Sequence, residues 1–105
     1  MSFIVIFCTA GSDENARLIA HTLIEEKLAA CVNILPGVNS VYRWEGKVVE
    51  EGELLLIIKT RGELFGQVEK RIKELHTYDV PEVIALEIKE GSADYLDWLA
   101  KNSGS

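Results

Sequence analysis

The sequence predicts an α+β fold: one antiparallel sheet with helices packed on one of its faces. Three observations predict it. Short apolar or alternating stretches recur at residues 3–8, 30–35, 47–60 and 82–88, the period of strands. Between them, apolar residues recur at three- and four-residue spacing, the period of an amphipathic helix. A two-residue turn signal, Glu45-Gly46, stands between two extended arms and marks a hairpin.

Phe3-Ile4-Val5-Ile6-Phe7-Cys8 is β-branched and aromatic throughout, which predicts a central strand. Gly11-Ser12 breaks it. Ser12 is placed to cap a helix whose first turn carries Asp13 and Glu14, as the helix dipole prefers. Ala16, Ile19, Ala20, Leu23, Ile24 and Leu28 form the apolar stripe of that helix. A second strand over residues 30–35 is bent at Pro36-Gly37 and continues extended to Trp44. The return arm, residues 47–60, ends in the apolar run Leu54 to Ile58. Strands most often have about five or six residues, so part of this long hairpin is expected to project from the domain body.

Thr60-Arg61-Gly62-Glu63 reads as a capping box, opening a second helix with the stripe Leu64, Phe65, Val68, Ile72 and Leu75. A loop over residues 77–81 leads to the fourth strand at 82–88. Gly91-Ser92 starts a last short helix through Tyr95, Leu96, Trp98 and Leu99, and residues 101–105 are expected to fray. Two strand–helix–strand units joined by a hairpin make the ferredoxin-like pattern, βαββαβ, here with a C-terminal helix. Right-handed crossovers then fix the spatial strand order as fourth, first, third, second.

The chain has 105 residues, which fits one domain over 1–105. Hydrophobic residues at 48% and charged residues at 27% give a globular composition and exclude disorder. Apolar runs such as Leu54 to Ile58 fall far short of the ~18 residues of a membrane helix. Met1-Ser2 lead into a strand without a basic start, so a cytoplasmic location is expected. With 11 basic residues against 17 acidic, net charge −6, and no basic face, nucleic acid and anionic membranes are disfavoured as partners.

The only cysteines are Cys8 and Cys31, and no Cys-x-x-Cys pair suggests structural zinc. In the expected topology Cys8 ends the first strand beside His76, Glu82 and the loop between them. Cys31 begins the second strand at the opposite end, two strands away, beyond disulfide reach, and reads as core. His21 reads as a surface residue. Tyr42 and Trp44 on the hairpin, with Tyr78 and Trp98, would be costly in water but suit the core of a subunit interface.

The segment Glu26-Lys27-Leu28-Ala29-Ala30-Cys31-Val32-Asn33, then Pro36-Gly37 and Ser40-x-Tyr42-x-Trp44-Glu45-Gly46-Lys47, resembles the CutA divalent-cation tolerance family. So do Lys59-Thr60, His76-x-Tyr78-x-x-Pro81-Glu82 and Tyr95-Leu96-x-Trp98-Leu99. The resemblance implies a tight homotrimer built much like the PII signalling proteins, with a copper site. The family's metal residues fall on Cys8 and His76, and Glu82, a neighbouring subunit or water is left to complete the site. Many relatives carry two adjacent histidines here, whereas this chain has Leu75-His76, which predicts lower affinity.

The resemblance leaves three functions open: a copper-binding trimer of metal-ion homeostasis, a PII-like regulatory trimer with a small ligand between subunits, and an adaptor trimer without ligand. Cys8 beside His76, with Glu82 to orient the imidazole, is formally a nucleophile–base pair. No nucleophile elbow, phosphate loop or paired-histidine zinc motif accompanies it, so no enzyme activity and no organic cofactor are inferred.

Overall fold

A computed structural model describes residues 1–104. The elements are β1 (Phe3–Ala10), α1 (Asp13–Glu25), β2 (Cys31–Trp44), β3 (Lys47–Arg61), a 3₁₀ turn (Gly62–Leu64), α2 (Phe65–Leu75), β4 (Ile84–Glu87) and α3 (Ala93–Lys101). The sheet order is β2-β3-β1-β4 with every pairing antiparallel. It is the α+β, ferredoxin-like arrangement the sequence predicts, with β1 and β2 separated by β3.

Strand alternation divides the sheet into two faces. On β1, Ile4, Ile6, Cys8 and Ala10 are buried, and on β3 their cross-strand partners Thr60, Ile58 and Leu56 are buried with them. This face carries the helices: Ala16, Ile19 and Leu23 of α1 and Val68 and Ile72 of α2 complete the core. Most of the stripe expected for each helix is buried, but Ile24 is 41% exposed and Leu28 lies past the end of α1. Ser12 caps α1, accepting a hydrogen bond from the Asn15 backbone N–H at 3.1 Å.

The other face presents Phe7, Leu55 and Ile57, with Ile84 and Leu86 of β4 paired opposite Phe7 and Val5. Leu35, Ile84 and Leu86 stay exposed there. Lys59 Nζ lies 6.0 Å from the centre of the Tyr95 ring, which sets α3 against one end of this same face.

β2 and β3 form the long hairpin, irregular only between Leu35 and Val38, where Gly37 has φ +79°. That bulge bends the ladder and increases its twist. At the tip Glu45 and Gly46 have φ of 50° and 78°, the two left-handed positions of a type I′ turn.

Four expectations are corrected. The capping box fails: Thr60 ends up inside β3, and its hydroxyl donates to the Leu28 carbonyl at 2.7 Å, so α2 is entered through the 3₁₀ turn with no side-chain cap. β4 is shorter than residues 82–88, because the ladder to β1 begins only at Ile84 opposite Phe7; Glu82 lies before it. Residues 101–104 are held: Lys101 closes α3, Ser103 is buried, and the Gly104 N–H donates to the Lys27 carbonyl, while Ser105 lies outside the described residues. Cys31 is half-buried, since its register opposite Lys59 puts it on the open face of an edge strand.

Candidate functional site

The end of the sheet where β1 meets α1 gathers the predicted residues. Cys8 is fully buried on the helix-covered face. Burial first, then the nearby Glu82 and Glu53 carboxylates, push its thiol up to about 12 from 9.0, so it is a protonated thiol at neutral pH. His76 follows the last residue of α2. Its Nε2 lies 2.7 Å from the Thr9 carbonyl, and its Nδ1 accepts the Tyr78 backbone N–H at 3.0 Å. A carbonyl only accepts, so Nε2 carries the hydrogen and the ring is the neutral Nε2–H tautomer. Both nitrogens are engaged.

Cys8, His76 and Glu82 therefore share one end of the sheet, as topology requires, without forming a ready ligand set. The histidine lone pair is used and the thiol is enclosed. Among the described residues no three His, Cys, Asp or Glu side chains converge on a point that would hold a metal ion. Cys8 and Cys31 are both free thiols, and His21 is exposed.

On the opposite face lies a cleft of about 720 Å³ between the hairpin and the loop before β4, lined by Tyr42, Trp44, Glu51, Glu53, Tyr78 and Glu82 among others. Tyr78 closes its inner end. The phenol donates to Glu53 Oε2 at 2.8 Å, and the ring packs at 4.7 Å from His76. It also crosses Gly11 so closely that a Cβ there would lie 2.8 Å from the phenol oxygen; glycine makes room for the ring. Burial, followed by the Glu53 hydrogen bond and charge, raises the phenol to about 12 from 10.0. Tyr42 donates to Glu51 across the hairpin.

Of the four aromatics expected at an interface, Trp44, Trp98 and Tyr42 are exposed. Tyr78 is half-buried, with its hydroxyl held by Glu53. Glu53 is the residue that sequence reasoning missed. It is buried at 8% exposure, and its one sequence signal is a carboxylate abutting the apolar run Leu54 to Ile58.

Comparison with known proteins identifies this arrangement. The CutA1 divalent ion tolerance protein family matches residues 4–102. The divalent-cation tolerance protein CutA of Thermus thermophilus is 55% identical over 95% of this chain and 97% of its own length. The chloroplastic protein CutA 1 of Oryza sativa is also 55% identical, and this chain spans 56% of its length. The crystal structure of CutA1 from Oryza sativa matches with a TM-score of 0.97 at 50% identity, covering 99% of this chain and 95% of that one. The structure of the periplasmic divalent cation tolerance protein CutA from Archaeoglobus fulgidus matches at 0.90 and 43% identity, over 92% and 94%. This chain belongs to the CutA1 divalent ion tolerance protein family.

Proposed function

We propose that the chain acts as a homotrimer in tolerance of divalent metal ions, with copper as the ion the resemblance nominates. The observation that carries the assembly is the uncovered apolar face of the sheet, where Leu35, Ile84 and Leu86 are 40%, 53% and 57% exposed, next to a hairpin exposing Val41, Trp44 and Val48. Contiguous apolar surface of this kind marks an interface, and β2 and β4 leave edges open to pairing. Light scattering should return three times 11.7 kDa, about 35 kDa. A stable monomer at micromolar concentration overturns the reading.

Copper binding at Cys8, His76 and Glu82 is proposed as weak. The ion must take the His76 Nδ1 lone pair from the Tyr78 N–H and reach a buried, protonated thiol. Binding should weaken further in acid, because a protonated imidazole cannot ligate a metal. In calorimetric titration the Cys8→Ser, His76→Ala double variant should bind copper more weakly than wild type, by less than about tenfold, roughly 1.4 kcal/mol, and equal affinity in the two removes the site. A larger difference means that the three residues assemble as a tight site. No catalytic step is proposed, because the only thiol–imidazole pair at this end has a buried thiol and a fully hydrogen-bonded imidazole.

The cleft favours a second reading, a PII-like regulatory trimer with a small ligand held between subunits; absence of any ligand leaves an adaptor trimer. The cytoplasm is the proposed compartment on the strength of two free thiols, and no helix is long and apolar enough to cross a membrane. Fractionation of the source cells tests that location.

A further inference from the structure

We propose that Asn15 is a positioning residue: through the Leu75 carbonyl it fixes the peptide from which His76 leaves α2, and so holds the imidazole in the one tautomer that latches the loop before β4. The inference deepens the reading of His76 as a nitrogen ligand and rests on it for its bearing on copper.

Asn15 is an expensive residue where it stands. It lies in the first turn of α1 with 5% of its surface exposed, and among the described residues its buried Oδ1 accepts no hydrogen bond. A buried acceptor without a donor lowers stability. Leucine has the same branched shape and avoids that loss, so the amide calls for another reason. Its other half supplies one. Nδ2 donates to the Leu75 carbonyl at 3.0 Å, a bond no apolar side chain makes.

Leu75 is the last residue of α2, where helix carbonyls lack an intrahelical partner. Its carbonyl and the His76 N–H belong to one planar peptide unit. Both ends of that unit are tied: the His76 N–H donates to the Ile72 carbonyl at 2.8 Å, and the Leu75 carbonyl accepts from Asn15. The plane is held against pivoting, and it sets the direction in which His76 departs, with φ −72° and ψ 144°. From there Nε2–H reaches the Thr9 carbonyl and Nδ1 receives the Tyr78 N–H. Asn15 is itself anchored, since its own N–H donates to Ser12 Oγ at 3.1 Å. The cap of α1, the end of α2 and the loop carrying Tyr78 are thus joined by one connected set of hydrogen bonds.

Two-bond proton–nitrogen NMR spectra of the metal-free protein, in mildly alkaline buffer, read the His76 ring nitrogens directly. Wild type should show the Nε2–H tautomer alone. Asn15→Leu should mix the two tautomers and speed hydrogen exchange of the Tyr78 amide by up to about tenfold. Ser12→Ala, at an exposed cap, should move both readouts the same way by less, which keeps the test open if Asn15→Leu fails to fold. Thr60→Val loosens the other end of the sheet, where Thr60 pairs with Ile4, and should leave the tautomer unmixed. Mixed tautomers in wild type, an unmixed tautomer in a folded Asn15→Leu, or equal mixing in Thr60→Val overturns the assignment. So does an unmixed Ser12→Ala where Asn15→Leu does not fold. No metal enters these spectra, so the copper reading fails separately: equal copper affinity in wild type and the Cys8→Ser, His76→Ala variant removes His76 as a ligand and leaves the latch standing.

Discussion

Cys8 shows how burial decides what a side chain can do. A reactive or metal-binding cysteine needs its thiolate, and the enclosed Cys8 thiol is held protonated up to about 12. The folded value lies above the unfolded one, so the neutral form is the one folding favours. This stabilisation is complete below about pH 9 and is lost as pH rises toward 12. The rise from 9.0 to about 12 corresponds to about 4 kcal/mol at most. Cys8→Ala removes the titration, so the excess stability of wild type over this variant should shrink steadily between those pH values in chemical denaturation. A constant difference across that range would mean the thiol is already solvated. Tyr78→Phe tests the other buried contact. It leaves Glu53 with no side-chain donor and should cost about 1–3 kcal/mol, while Tyr42→Phe, on the exposed hairpin, should stay within about 0.5 kcal/mol.

At the scale of elements, the two helix entrances separate what the sequence makes legible from what it hides. Ser12 caps α1 as its spacing predicts, because the cap needs only the backbone N–H of Asn15 three residues on. Thr60 and Glu63 have an equally good spacing, but the Leu28 carbonyl, far away in sequence, takes the Thr60 hydroxyl. Tertiary contact overrides a local motif. Thr60→Val should therefore cost about 1–2 kcal/mol through the stranded Leu28 carbonyl, and Glu63→Ala about 0.5 kcal/mol or less; the reverse ranking in denaturant melts would restore the capping box. The strand order and helix stripes were readable because they follow from periodicity. The hydrogen bonds that occupy both nitrogens of His76 were not, since they depend on where Thr9 and Tyr78 fall once the loop is folded. Glu53 was hidden for the same reason: its hydrogen-bond partner, Tyr78, lies 25 residues away in sequence.

For the whole molecule, shape and surface argue together. The extents are 44 × 25 × 22 Å and the radius of gyration is 14.2 Å, above the roughly 13 Å of a compact chain of about 100 residues. The hairpin accounts for the elongation, and it carries exposed Trp44 at its tip opposite Lys47. Leu86 lies on the open sheet face opposite Val5, well removed from that tip. If one assembly covers both, two distant substitutions must weaken the same equilibrium. Trp44→Ala should weaken association by about 2 kcal/mol, the scale of a buried aromatic anchor, which is roughly thirtyfold. Leu86→Glu should do at least as much by placing a charge against an apolar surface. His21→Ala, on the exposed side of α1, should change nothing. Sedimentation across a dilution series reads the dissociation midpoint of each variant. A midpoint unmoved by Trp44→Ala but shifted by Leu86→Glu would confine the interface to the sheet face and leave the hairpin free. Midpoints unmoved by both would remove this surface from the assembly altogether.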